Sequence, residues 1–222
     1  MIRRREVGLI IVFVLGCCAF AKAIEPPERN VEDNVVTSER DPKVRIELPD
    51  DVKYVGGDRW ILDETADCEL HAFIEADRKQ IVQRLYWIQF ESYLESKPNL
   101  KYQYDSSRRA TIGGLEFIVD AWARASDEKA TPDSDLGHFQ ALIKERGFKL
   151  PTGMMFVRLV HLLDEQKRKE LMIIYGENLS STGLNAADLK KGGLAEDEWK
   201  SIQKGLLERA QSKIVIRHGN EH

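Results

Sequence analysis

Two histidines far apart in the chain, His71 and His161, are the side chains best suited to moving a proton near neutral pH. Each lies in a stretch that alternates apolar and polar residues. Each is expected on the strand face that also carries Asp120 or Arg124. With Glu91, Arg158 and Glu177 on neighbouring strands, such a face would polarise a substrate and deprotonate it, with His71 or His161 as general base beside a carboxylate. Zinc wants three or four converging ligands, and two widely separated histidines without a local ligand pair predict no metal site. No cofactor is expected either.

Other candidate groups point away from chemistry. Glu116 and Asp120 are four residues apart, which in a strand puts them on one face but about 13 Å from each other, too wide for the paired carboxylates of a glycosidase. Cys68 shares its face with Leu70, Ala72 and Ile74, so the reading is a buried, inert thiol. The hydrolase elbow G-x-S-x-G, the phosphate-binding loop, H-E-x-x-H and paired C-x-x-C are all missing. Gly56-Gly57 and Gly113-Gly114 lack the helix-start context of a phosphate cradle and read as turns or bulges.

The aromatic set is more suggestive. Tyr86, Trp87, Phe90, Tyr93, Tyr102, Tyr104, Trp122 and Tyr175 fall in or beside candidate strands. A curved sheet with such rings on an open face holds a ring-bearing or amphipathic ligand, and Arg124 and Arg158 would neutralise its acidic group. The candidate binding residues are therefore Trp87, Trp122, Arg124, Arg158, His71, His161 and Tyr175.

The elements that must position these groups are mostly strands. Val44–Leu48 alternates apolar and charged residues between Pro42 and Pro49. Cys68–Glu75 alternates with one apolar face, Ile81–Leu94 is apolar on both faces and predicts a central strand, and Gly114–Arg124 alternates again. Met154–Leu163 and Glu170–Glu177 flank the charged connection Asp164–Lys169, which reads as a hairpin tip. Thr131–Asp135 has the capping hydroxyl, proline and acids of a helix start, with Leu136, Phe139, Leu142 and Ile143 at helical spacing and Gly147 as the stop. Trp199, Ile202, Leu206, Ala210 and Ile214 mark a second amphipathic helix. The prediction is an α+β domain: one antiparallel sheet of about five or six strands with helices packed mainly on one face.

Compartment is read at the N-terminus. Arg3-Arg4-Arg5, the apolar run from Val7 to Leu15 and the small residues Ala21 and Ala23 have the order of an export signal. The run is too short for a permanent membrane helix, which needs about 20 apolar residues. A cut after Ala23 releases a chain starting at Ile24. A cut before Cys17 makes that cysteine a lipid anchor. The protein is thus expected to be exported, periplasmic or secreted, or alternatively held to a membrane through Cys17. The expected organisation is a signal over 1–23, a proline-containing flexible tail over 24–42 and a single domain over 43–222.

Loss of the signal removes Arg3, Arg4, Arg5, Lys22 and Glu6 from totals of 33 basic and 37 acidic side chains, leaving 29 and 36. An acidic body of this kind has no long-range attraction for phosphate backbones, which argues against nucleic acid as a partner. A membrane would be met only through the signal or a lipid. The functional expectation is a non-catalytic envelope binding module for a small amphipathic ligand or a protein partner. The alternative is a hydrolase or other enzyme using His71 or His161 as base.

Overall fold

Alternation of apolar and polar residues gives most of this chain two-faced strands, and the computed structural model assembles them into two antiparallel sheets. It describes residues 26–125, 130–189, 192, 193 and 195–218. The signal segment 1–23, with Cys17, lies outside the described residues. Four short strands, β1 (Asn30–Glu32), β2 (Val35–Ser38), β3 (Val44–Glu47) and β11 (Val215–His218), form the small sheet in the order β1-β2-β3-β11. Seven form the large one: β4 (Lys53–Leu62), β5 (Ala66–Ala76), β6 (Val82–Tyr93), β7 (Arg109–Ile112), β8 (Leu115–Ala125), β9 (Gly153–Leu162) and β10 (Lys169–Asn178).

The order of the large sheet is β4-β5-β6-β10-β9-β8-β7. Two meanders, β4 to β6 and β7 to β10, therefore meet where β10 pairs with β6. The chain leaving β6 must cross the sheet to start β7 at the far edge, and it must come back across to place helix α1 (Asp135–Glu145) between β8 and β9 in sequence but against β4 and β5 in space. Gly113 and Gly114 make the β7–β8 turn with positive φ at both positions. A Cβ on Gly113 would stand 2.1 Å from the carbonyl oxygen of Ile216, so the tip of this hairpin is closed down on β11.

The large sheet's inner face packs on the small sheet and on helix α2 (Glu196–Lys213), burying Phe73, Tyr86, Ile88, Phe117, Leu159 and Tyr175 with Val36, Ile46, Leu206 and Ile216. Its outer face packs on α1, which buries Phe139 and Ile143 against Leu70, Ile74, Leu85 and Trp87. The helix begins at Ser134, whose side chain accepts from the Gly137 amide.

Three expectations change. In place of one sheet of five or six strands there are sheets of four and seven, because residues 30–38 and 215–218 pair with β3. The segment expected to be a flexible tail over 24–42 instead carries β1 and β2, with Val36 and Ser38 fully buried. The helices do not share a face: α1 covers the outer face and α2 the inner one, since both faces of the central strands are apolar and both need a cover.

Candidate functional site

Register fixes what the outer face displays. Residues directly opposite each other point the same way. One row across β6, β10, β9 and β8 therefore reads Trp87, Ile174, Arg158, Asp120, and the next reads Leu85, Gly176, Phe156, Trp122. Of the seven candidate residues, Trp87, Trp122, Arg124 and Arg158 lie on this face. His71, His161 and Tyr175 lie on the inner one: His71 stands opposite Ile88, and Tyr175 opposite Tyr86 and Val157. The expectation that the histidines share a face with Arg124 or Asp120 is overturned. They sit one residue out of phase with it, and a one-residue offset sends a strand side chain to the opposite side.

Each inner-face candidate is already committed. His71 is 0% exposed, with Nε2 2.9 Å from Glu69 Oε1 and Nδ1 3.1 Å from the Tyr54 hydroxyl. This network assigns the tautomer: Nε2–H donates to the carboxylate, and Nδ1 accepts from Tyr54. Glu69 is also held by Arg29, at 2.8 Å to Oε2 through Nη1 and 2.7 Å to Oε1 through the backbone amide. The Arg29 guanidinium lies 4.3 Å above the Phe90 ring. Burial works to raise the Glu69 carboxyl, but the His71 and Arg29 hydrogen bonds outweigh it and hold the group down at about 2. His161 is three strands away and bonds the Glu116 carbonyl through Nδ1 at 2.9 Å. Tyr175 is fully buried, donates to Glu177 and has its ring 5.2 Å from that of Tyr86.

The outer face divides in two. Over β4 to β6, α1 covers it: Phe139 stacks on Trp87 at 4.8 Å, and His138 stacks on Trp60 at 4.0 Å while bonding Asp58 at 2.6 Å. Over β8 and β9 the described residues cover it only in part. There Trp122 stacks on Phe156 at 5.3 Å, and both remain half-buried beside Ile118. Arg158 lies among them with its side chain 31% exposed, 5.0 Å from the Tyr104 ring centre and 5.8 Å from that of Trp122. Its Nη2 donates to Asp120 at 2.5 Å, and its Nε–H is buried without an acceptor among the described residues. Gly176 lets the rings lie flat here, since a Cβ would come within 2.9 Å of the Phe156 ring and 3.0 Å of Leu85. A small apolar cleft of about 40 Å³ opens where Trp87, Phe139, Leu150, Phe156 and the Arg124 chain converge.

At the end of this face lies a group of acids that sequence reading missed as a unit. Cys68, Glu91 and Glu170 are directly opposite one another on β5, β6 and β10. Gln89 donates to Glu91 at 2.9 Å and accepts from Trp87 Nε1 at 2.7 Å. Tyr102 donates to Glu91 at 2.9 Å, and Tyr104 lies 2.8 and 2.7 Å from the two Glu170 oxygens. Asp135, at the start of α1, completes the group, with Oδ1 buried and unpartnered among the described residues. Burial raises Glu91 and Asp135, and burial together with the Glu91 charge pushes Glu170 up to about 8. The Cys68 thiol is also pushed up by burial. One ligand atom from each of Cys68, Glu91 and Asp135 lies within 4.8 Å of the others. The signal for this group was present in the sequence as Gln89 and Glu91, two polar residues on the Trp87 side of a central strand.

Comparison with protein-family models, with curated proteins and with solved structures returned no match for this chain.

Proposed function

We propose that this protein is an exported, non-catalytic binding module, and that it holds a small amphipathic ligand on the part of its outer face left open by α1. The observation that carries the reading is the Trp122–Phe156 stack beside Arg158, half-buried on a stretch of antiparallel sheet that the described residues cover only in part. Flat rings offer contact area to an apolar body, and a guanidinium set among them offers charge-assisted bonds to an acidic head. Arg158 donates from Nη2 to Asp120 while its side chain stays 31% exposed, which leaves guanidinium surface in reach of a ligand acceptor. Export rests on the order of basic, apolar and small residues over positions 1–23. An enzymatic role for His71 is not favoured, since both ring nitrogens are engaged within a closed core.

Native mass spectrometry of the protein recovered from its own cell envelope tests both parts. The expected mass begins at Ile24, or at a lipid-bearing Cys17, with a small molecule that travels with the wild-type chain and is lost from Trp122→Ala and Arg158→Gln. An uncut chain, or a bound molecule retained by both variants, contradicts the proposal.

A further inference from the structure

β7 covers only part of its neighbour. Its register with β8 runs from Arg109 opposite Ile118 to Ile112 opposite Leu115. The last bonds at this edge are the Val119 amide on the Arg108 carbonyl, at 3.0 Å, and the Ser106 hydroxyl on the Val119 carbonyl. In an antiparallel ladder every second residue turns its N–H and C=O to the same side. Val119 turns them away from β9, so Ala121 and Ala123 do the same, and among the described residues nothing pairs with them. The large sheet thus ends in two open rungs, with two donors and two acceptors in line.

The opposite edge of the same sheet is protected. β4 is broken by a bulge between Tyr54 and Gly56. The chain before β1 also lies against it: a Cβ on Gly57 would stand 2.9 Å from Pro27, and Arg59 pairs with Glu28 at 2.7 Å. Bulges, charges and covering chain are the usual means of keeping a strand edge from recruiting another strand. At Ala121 and Ala123 the pairing with β9 is regular and the side chains are methyl groups.

A cleft of about 370 Å³ opens beside these rungs, lined by Ala121, Trp122 and Ala123 from β8 and by Ala186, Leu189, Glu196 and Trp199 from the chain before and within α2. Its walls are apolar except for Glu196, whose Oε2 accepts from the Gly192 amide at 2.9 Å. Asp197 and Glu198 follow in the exposed first turn of α2.

We propose that this edge docks an extended, basic peptide segment of a partner protein, which joins the large sheet as a strand antiparallel to β8. Main-chain groups of the segment would complete the rungs of Ala121 and Ala123, and its alternate side chains would enter the cleft. The acids at the start of α2 select for lysine or arginine flanking the apolar positions. A second copy of this chain fits less well, because without the signal the body carries 36 acidic against 29 basic side chains and repels its like. The site goes beyond the amphiphile-binding reading and does not rest on it; the two share Trp122 alone.

The test is nuclear magnetic resonance and amide exchange of the whole protein with the peptide acetyl-Lys-Thr-Val-Thr-Val-Thr-Lys-amide, whose valines and lysines share one face when extended. In the free protein the Ala121 and Ala123 amides are expected to exchange without protection. Saturating peptide is expected to slow them about tenfold or more and to shift Ala186, Leu189 and Trp199. Methylating the two valine nitrogens removes the donors that face β8 and is expected to weaken binding about tenfold or more, while methylating the central threonine nitrogen, which faces solvent, is not. Replacing both lysines by glutamate is expected to weaken binding, and Glu196→Gln to reduce the difference between the two peptides. The proposal is overturned if the peptide gives no saturable shifts, if the valine-methylated peptide binds equally well, or if the glutamate peptide binds as tightly as the lysine one. Protection of Ala121 and Ala123 in the free protein also overturns it, and a doubled mass by sedimentation would then make a second copy the occupant.

Discussion

Glu69 and Glu170 are both almost wholly buried, at 1% and 2% exposure, and they sit on opposite faces of one sheet. On the inner face Glu69 meets Arg29 and His71 and is held ionised; on the outer face burial and the Glu91 charge push Glu170 toward its protonated form, against the Tyr104 hydrogen bond and the Arg158 charge. The difference teaches what burial alone does not decide. The desolvation cost is shared, and the partners choose the charge state. A saturated ion pair locks the first strand of the chain onto the sheet. An unsaturated group of acids leaves a site whose charge still responds to its surroundings.

The sharpest way to break this comparison is Glu69→Ala. It strands Arg29 and one nitrogen of His71 in the core, and loss of one partner from a buried pair costs about 3–5 kcal/mol, measurable by urea unfolding at pH 7. Glu170→Ala strands no cation, so a comparable loss there would erase the contrast.

Next in size are the pH slopes, which must have opposite signs. Glu69 falls from 4.5 to about 2 on folding, so its contribution is present above pH 4.5 and is lost as pH drops toward 2. Glu170 rises from 4.5 to about 8, so the folded state holds the extra proton and stability falls as pH climbs from 4.5 to 8, by a few kcal/mol. In a pH series of urea midpoints, Glu170→Gln is expected to shrink the second decline to the part that belongs to Glu91 and Asp135, while leaving the acid-side loss in place. A wild-type protein whose stability is flat from pH 5 to 8 contradicts the assignment.

A smaller effect separates surface from core on the outer face. Gly176→Ala forces a methyl group against Phe156 and Leu85, at an expected cost of about 1–3 kcal/mol in thermal unfolding, with altered tryptophan emission from the displaced Trp122 stack. Smallest is His138→Ala, which removes a partly exposed bond to Asp58 and the stack on Trp60. About 1 kcal/mol is expected, with faster amide exchange confined to α1 and no change in either acid's titration.

Much of the strand and helix pattern was legible. Alternation located β3, β5, β6 and β8 to within a few residues, charge located the β9–β10 tip, and capping chemistry located α1, whose cap is Ser134 within the segment singled out. Strand order was not legible, because nothing in the sequence of β10 says that it pairs with β6 as well as with β9. Phase along a strand was only half legible. Of the seven candidates, Trp87, Trp122, Arg124 and Arg158 share the outer face while His71, His161 and Tyr175 lie on the inner one, a division alternation does not reveal, since an exchange of faces leaves it unchanged. The acid group depends on register across three strands, and its only trace was Gln89 and Glu91 in a strand otherwise rich in apolar residues. The short strands β1, β2 and β11 escaped notice because three or four residues carry too little period to read without a frame such as Pro42 and Pro49 give β3.

The central claim is that the open part of the outer face is the ligand-binding surface. Backbone and side-chain chemical-shift mapping with dodecanoate, an anionic amphiphile, tests it most directly. The account predicts saturable shifts centred on Ile118, Trp122, Phe156 and Arg158, with affinity reduced at least tenfold by Arg158→Gln. Shifts centred instead on Arg29, Arg40 and Lys43 in the polar cavity, or no saturable shifts at all, would contradict it.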